Sequence, residues 1–224
     1  MADFPFDIVG FDLDGTLFDT AADIAAAANH GLTSIGRPPL PVETLKPMIG
    51  LGGPYLLEQA LIATGGCEPG AVAALFPEWV RHYGENLVHE TRPFPGLLDA
   101  MDAIDARGAK IAIVTNKREA FAVSIVEQLG LTHRFATIIG GDTMGPGNAK
   151  PSAIPINEMI RRCGGGRAAF VGDSIYDTTA ARNAGIPSVA CAFGFLHGPI
   201  EELHADAVIG HYDELISALE RLAA

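Results

Sequence analysis

Six short apolar runs, FDIVGFD (6–12), AKIAIVT (109–115), FATIIGG (135–141), AAFVGD (168–173), PSVACA (187–192) and ADAVIG (205–210), recur along the chain. From about residue 94 they alternate with stretches of helical spacing: GLLDAMDAIDARG, REAFAVSIVEQLG, PSAIPINEMIRRC and IYDTTAARNAG. Several of these helical stretches close on glycine, the residue that most readily adopts the left-handed conformation at a helix C-terminus. Strands alternating with helices predict an α/β fold, a Rossmann-like parallel sheet covered by helices on both faces. Ligands of such sheets sit beyond the carboxyl ends of the strands.

Residues 20–90 break the alternation. They read as helical throughout, with Thr20 as the expected N-cap of AADIAAAANHGLTSI, followed by PYLLEQALIA and AVAALFPEWVRHYGENLV. Because the segment lies between the first strand and the remainder, it predicts an inserted α-helical cap domain over 20–90, with 1–19 and 91–224 forming the core. LFDT and the proline- and glycine-bearing TRPFPG would form a double hinge.

With 27 acidic and 15 basic residues the net charge is -12, which argues against nucleic acid or an anionic membrane surface as partner. Cys67, Cys163 and Cys191 are far apart, with no CxxC pair, so free thiols are expected rather than a disulfide framework or a zinc site. The N-terminal MADFPFDIVGFD lacks a basic region and a long apolar run, and no later run approaches the ~18 residues of a membrane span. The cytoplasm is the expected location.

A parallel sheet collects its strand ends at one edge. The first run ends in Asp12, Asp14 and Thr16, the second in Thr115 and Asn116. Lys150 follows the third, and Asp173, Ser174 and Asp177 follow the fourth. Like charges about 4 Å apart repel by roughly 4 kcal/mol at an effective dielectric of 20, so four carboxylates in one crevice call for a cation. A hard divalent ion with oxygen ligands and open positions, Mg²⁺, meets that demand. Lys150, Thr115, Asn116 and the amides after Asp12 would then hold a phosphoryl group.

FDLDGT, VTN, KP and GDSIYD, in this order and each after its strand, resemble the four motifs of the haloacid dehalogenase superfamily, in its phosphatase branch with a small helical cap. The resemblance covers essentially the whole chain. It implies that Asp12 attacks phosphorus to form an aspartyl-phosphate, and that Asp14 protonates the leaving alkoxide and then activates water. It also implies Mg²⁺ binding by the Asp12 side chain, the Asp14 backbone carbonyl and Asp173, supported by Asp177 and Ser174, with Thr115 and Lys150 on the phosphoryl group. Dehalogenase members lack an equivalent of Asp14. In the sugar-phosphate mutases and phosphonate hydrolases that resemble this chain, a cation stands where Gly53 lies here. GLGG (50–53) and the flanks of the cap look most like phosphoglycolate phosphatases, whereas GDTMGPGNAKP is longer before Lys150 than the family pattern.

The resulting expectation is a Mg²⁺-dependent phosphomonoesterase acting on a small phosphorylated metabolite, 2-phosphoglycolate first. Nucleoside monophosphates, sugar phosphates and pyrophosphate are the alternatives, together with a mutase or a non-catalytic phosphate-binding protein. Thr16 and Asp19 read as structural. Lys46, Arg37 and Arg81 are cap cations that a substrate carboxylate could meet. His82 and His89 lack a third ligand for a metal site.

Overall fold

The computed structural model describes residues 4–222. In chain order the elements are β1 (Ile8–Phe11), β2 (Phe18–Asp19), α1 (Ala21–Ser34), α2 (Val42–Leu45), α3 (Gly53–Ala63), α4 (Ala71–Glu85), β3 (Arg92–Pro93), α5 (Leu97–Asp105), β4 (Lys110–Val114) and α6 (Glu119–Gln128). There follow β5 (Thr137–Ile139), α7 (Ile154–Arg162), β6 (Ala168–Gly172), α8 (Ile175–Ala184), β7 (Ser188–Cys191), β8 (Ala207–Ile209) and α9 (Leu215–Arg221).

Six strands form one parallel sheet in the order β5-β4-β1-β6-β7-β8. All six apolar runs therefore contribute strands to one sheet. β1 lies between β4 and β6, with Phe11 beside both Ile113 and Val171. The order reverses direction at β1, and this is where an α/β sheet opens a crevice at its carboxyl edge.

The alternation of side chains along the strands divides the interior in two. Val9, Phe11, Ile111, Ile113, Ala169 and Val171 face the larger core, which α5, α6 and α9 close with Leu97, Met101, Ile104, Ile125, Val126, Leu215 and Leu219. Ile8, Ala112, Val114, Ala168 and Phe170 face the opposite side, covered by Ile156 and Met159 of α7 and Ala180 and Ala181 of α8. Each fully buried aliphatic or aromatic side chain stabilises the fold by roughly 1.5–3 kcal/mol. Gly10 lets this second layer approach, since a β-carbon there would stand 2.4 Å from the Met159 sulfur.

Helices α1 to α4 lie between β2 and β3. Alanines 25, 27 and 28 and Gly31 give α1 a narrow buried face that packs against α3 and α4. The chain leaves the sheet through β2 and returns through β3, and these two short strands pair antiparallel, Phe18 opposite Pro93 and Asp19 opposite Arg92. This two-stranded ribbon lies where the sequence suggested a double hinge. Beside it, Asp23 of α1 is buried and its carboxylate accepts from the His89, Glu90 and Thr91 backbone N–H groups and from the Thr91 hydroxyl, at 2.7–3.1 Å.

Thr20 occupies the N-cap position of α1 but does not cap it. Its hydroxyl donates to Asp14 Oδ1 at 2.6 Å. No helix among the described residues is long and apolar enough to cross a membrane.

Candidate active site

β1 ends at Phe11, so Asp12 is the first residue beyond the strand, with its N–H still donating to the Val171 carbonyl at 2.9 Å. Asp14 lies in the turn that follows and bridges to Phe18. Thr115 follows β4 directly, Asp173 follows β6, and Lys150 lies in the loop after β5. Strand pairing brings these far-separated positions to one edge.

Lys150 is the centre of the arrangement. Its buried ammonium donates to Asp12 Oδ1 at 2.7 Å and to Asp177 Oδ1 at 2.5 Å. Oxygens of Asp12, Asp173 and Asp177 all lie within 4.8 Å of one another. Three buried carboxylates thus cluster here, and the one ammonium pairs with two of them. Burial, opposed by Lys150 and reinforced by Asp177 and Asp14, raises the Asp12 pKa to about 6. Burial, with Asp12 and Asp177 nearby, lifts Asp173 well above the ordinary aspartate value. Lys150 moves up despite its burial, because Asp12 and Asp177 hold it charged.

Asp173 is tightly placed. Oδ1 accepts from the Thr16 hydroxyl at 2.9 Å and Oδ2 from the Phe195 N–H at 2.6 Å. Gly15 and Gly194 enclose it: β-carbons at these positions would come within 2.2 Å of Asp173 atoms. Asp177 Oδ2 takes the N–H and hydroxyl of Ser174, the N-cap residue of α8, so one carboxylate both caps that helix and holds Lys150. Gly172 permits this, as a β-carbon there would meet Asp177 at 2.3 Å.

The Thr115 hydroxyl accepts the Lys117 N–H at 3.2 Å. The Asn116 amide donates to the carbonyls of Lys150 at 3.2 Å and Gly50 at 3.4 Å, while its Oδ1 is buried without a partner among the described residues. Asp12, Asp14, Thr115 and Asn116 line a cavity of about 140 Å³ between the sheet edge and the helical segment. Its other walls are mainly apolar, including Ile24, Leu56, Phe76, Trp79 and Phe121.

The suggested cap cations do not line this cavity. Arg37 donates to the Leu61 carbonyl, Arg81 pairs with Glu78 and Glu85 on its own helix, and Lys46 lies 5.2 Å from the Phe195 ring centre. His82 stacks on His30 at 3.9 Å, and His89 is exposed. The lysine that does reach the cavity is Lys117, unassigned from the sequence. Its ammonium lies 3.0 Å from Asp14 Oδ1 and 2.7 Å from the Tyr83 hydroxyl of α4. Burial opposes its charge, but Asp14 and Tyr83 outweigh burial and raise its pKa, while burial pushes the Tyr83 hydroxyl up to about 12. Phe195 and Gly194 were likewise unassigned. The sequence signal for Lys117 was its place directly after VTN, and for Gly194 a glycine between two phenylalanines after a strand.

Residues 9–191 match the model of the haloacid dehalogenase-like hydrolase family. The chain belongs to this family. Family relatives include a phosphoglycolate phosphatase of Agrobacterium fabrum, 39% identical over 212 residues that cover 93% of this chain and 90% of that protein. A second, from Mesorhizobium japonicum, is 37% identical and covers 96% of both. Among solved structures, a predicted phosphoglycolate phosphatase from Haemophilus somnus superposes with a TM-score of 0.86 at 26% identity, over 95% of this chain and 97% of that one. Within the haloacid dehalogenase-like hydrolases, the chain is an enzyme of the phosphatase type.

Proposed function

We propose that the protein is a Mg²⁺-dependent phosphomonoesterase whose substrate is a small phosphorylated metabolite, 2-phosphoglycolate first. The observation that carries this reading is the buried set of Asp12, Asp173 and Asp177 around one lysine. The donor set suits magnesium: all oxygen, three carboxylates close together, and a charge that Lys150 alone does not balance. The ion would be held by the Asp12 and Asp173 side chains and the Asp14 carbonyl, with Asp177 and Ser174 behind them. When bound it would neutralise charge developing on the phosphoryl oxygens.

The side chains divide the remaining work. Lys150 fixes Asp12 through Oδ1, leaving Oδ2 without a protein donor among the described residues. An Asp12 oxygen forms the bond to phosphorus as the ester oxygen departs, taking a proton from Asp14. Asp14 then removes a proton from water, whose oxygen attacks the phosphorus of the aspartyl-phosphate, releasing inorganic phosphate and restoring Asp12. Thr115, Asn116 and Lys150 hold the phosphoryl oxygens during both steps. Acid–base help contributes only about 10²- to 10⁴-fold of a far larger acceleration, so charge stabilisation and positioning dominate.

In this reading residues 20–90 are a cap, and 1–19 with 91–224 the core. The cap helices wall the cavity and keep water out during the first step. A cavity of about 140 Å³, below the roughly 300–1,000 Å³ of sites for drug-sized ligands, favours a small ester. Arg118 at its wall suits an anionic tail. The names of the relatives point to 2-phosphoglycolate. A mutase is disfavoured at Gly53, where a β-carbon would stand 2.5 Å from the Trp79 ring. Free thiols at Cys67, Cys163 and Cys191 agree with a cytoplasmic location.

Asp12→Asn is the direct test. It should abolish Mg²⁺-dependent phosphate release from 2-phosphoglycolate and p-nitrophenyl phosphate while leaving the circular dichroism spectrum unchanged. Full activity in this variant would refute the assignment.

A further inference from the structure

Asp14 is held through one oxygen, by a hydrogen bond and an ion pair. Thr20, at the start of α1, donates to Oδ1 at 2.6 Å, and Lys117 Nζ lies 3.0 Å from the same atom. Asp14 Oδ2 has no protein donor among the described residues. A carboxylate so held presents Oδ2 to the cavity chemistry, because Oδ1 is already engaged by the Thr20 hydroxyl and the Lys117 ammonium.

The position of Lys117 is itself fixed from both sides. Its backbone N–H donates to Thr115 Oγ1 at 3.2 Å, and its carbonyl accepts the Gly141 N–H at 2.8 Å. Its ammonium donates to the Tyr83 hydroxyl at 2.7 Å and lies 4.6 Å from the centre of that ring. Tyr83 is fully buried on α4, stacked on Trp79 at 5.3 Å and edge-on to Phe121 of α6 at 5.4 Å. The hydroxyl therefore has little freedom, and it belongs to the helical segment rather than the sheet.

We propose that Lys117 is a positioning residue that ties Asp14 to α4: Tyr83 seats the ammonium, and the ammonium orients the carboxylate that handles the proton. Asp14 is correctly aimed only while α4 lies over the sheet edge, so the proton-transfer group is assembled by the same packing that walls the cavity. This inference rests on the role of Asp14 given above.

The test compares two esters. An alkyl phosphate (2-phosphoglycolate, or ethyl phosphate in its place) needs its leaving oxygen protonated, whereas p-nitrophenolate departs with little help. Lys117→Met should lower kcat/KM for the alkyl ester by about 30-fold or more and for p-nitrophenyl phosphate by less than about 3-fold, the difference a misaimed general acid produces. Tyr83→Phe, which removes one oxygen from a packed ring, should show the same selectivity at about 5-fold, and the double variant should match Lys117→Met within about 2-fold, as coupled residues do. Should Lys117→Met fail to fold, the selectivity of Tyr83→Phe decides alone.

Equal losses for both esters, or additive losses in the double variant, would overturn the proposal. So would an effect confined to KM for 2-phosphoglycolate, which would make Lys117 a contact of the substrate's carboxylate. Failure of the underlying reading is seen elsewhere: Asp14→Asn would then keep wild-type turnover of the alkyl ester.

Discussion

Replacing Asp23 tests whether the return of the chain from the helical segment is held by a single carboxylate. Asp23 is 4% exposed and gathers four donors: the N–H groups of His89, Glu90 and Thr91 and the Thr91 hydroxyl. In Asp23→Ala these donors lose their acceptor unequally. His89 and Glu90 lie at the surface, where water replaces the carboxylate, whereas Thr91 is fully buried. Two dry donors at about 1–3 kcal/mol each, less the relief from no longer burying a carboxylate, give a loss of about 3 kcal/mol. For a chain of this length that lowers Tm by about 6–12 °C. Asp23→Asn keeps one oxygen for Thr91 and should lose roughly half as much. Differential scanning calorimetry with urea unfolding at pH 7 measures both. A Tm for Asp23→Ala within 2 °C of wild type would mean that the clamp carries no net stabilisation, and the reasoning fails.

Gly194→Ala drives a β-carbon to 2.2 Å from Asp173 and 2.6 Å from the Gly15 carbonyl. In the proposed Mg²⁺ site, displacement of Asp173 should weaken the metal by about 10- to 100-fold, read from the Mg²⁺ dependence of turnover; an unchanged activation constant would contradict it. Asp12 gives a pH dependence. Its pKa is raised from 3.8 to about 6 in the metal-free protein, so the folded state binds more protons than the unfolded one between these values, and the penalty for ionising Asp12 is present above pH 6 and absent below about 4. Metal-free Asp12→Asn should therefore gain stability relative to metal-free wild type as pH rises from 4 to 7. A stability difference that does not vary with pH in thermal unfolding contradicts this.

The sheet was legible because its signal is local: each strand is a short β-rich run, and burial on both faces removes the polar alternation that blurs half-exposed strands. Asp12, Asp14, Lys150 and Asp173 were legible for a related reason, since topology alone delivers strand ends to one edge. The strand order was not readable, because nothing local says that β1 pairs with both β4 and β6. The ribbon of β2 and β3 is two residues deep on each side, too short for any period to show. Asp23 looks like an ordinary acid in the first turn of a helix; its partners lie 66 to 68 positions away. Arg81 was read as a cation that a substrate carboxylate could meet, but Glu78 and Glu85, three and four positions away on the same helix, claim it. Lys117 was overlooked for the converse reason: its role depends on a tyrosine brought over it by α4.

The pairing of Asp19 with Arg92 means that some seventy residues depart from and rejoin the sheet at facing points. A graft at that junction, longer or shorter, would leave the strands in register, because the splice closes on itself, but it would have to bring its own partners for Asp14 and Lys117. Exchange of the inserted module would therefore reset selectivity and, through Tyr83 and Lys117, the aim of Asp14 together, whereas the strand ends that carry Asp12 and Asp173 would stay as they are.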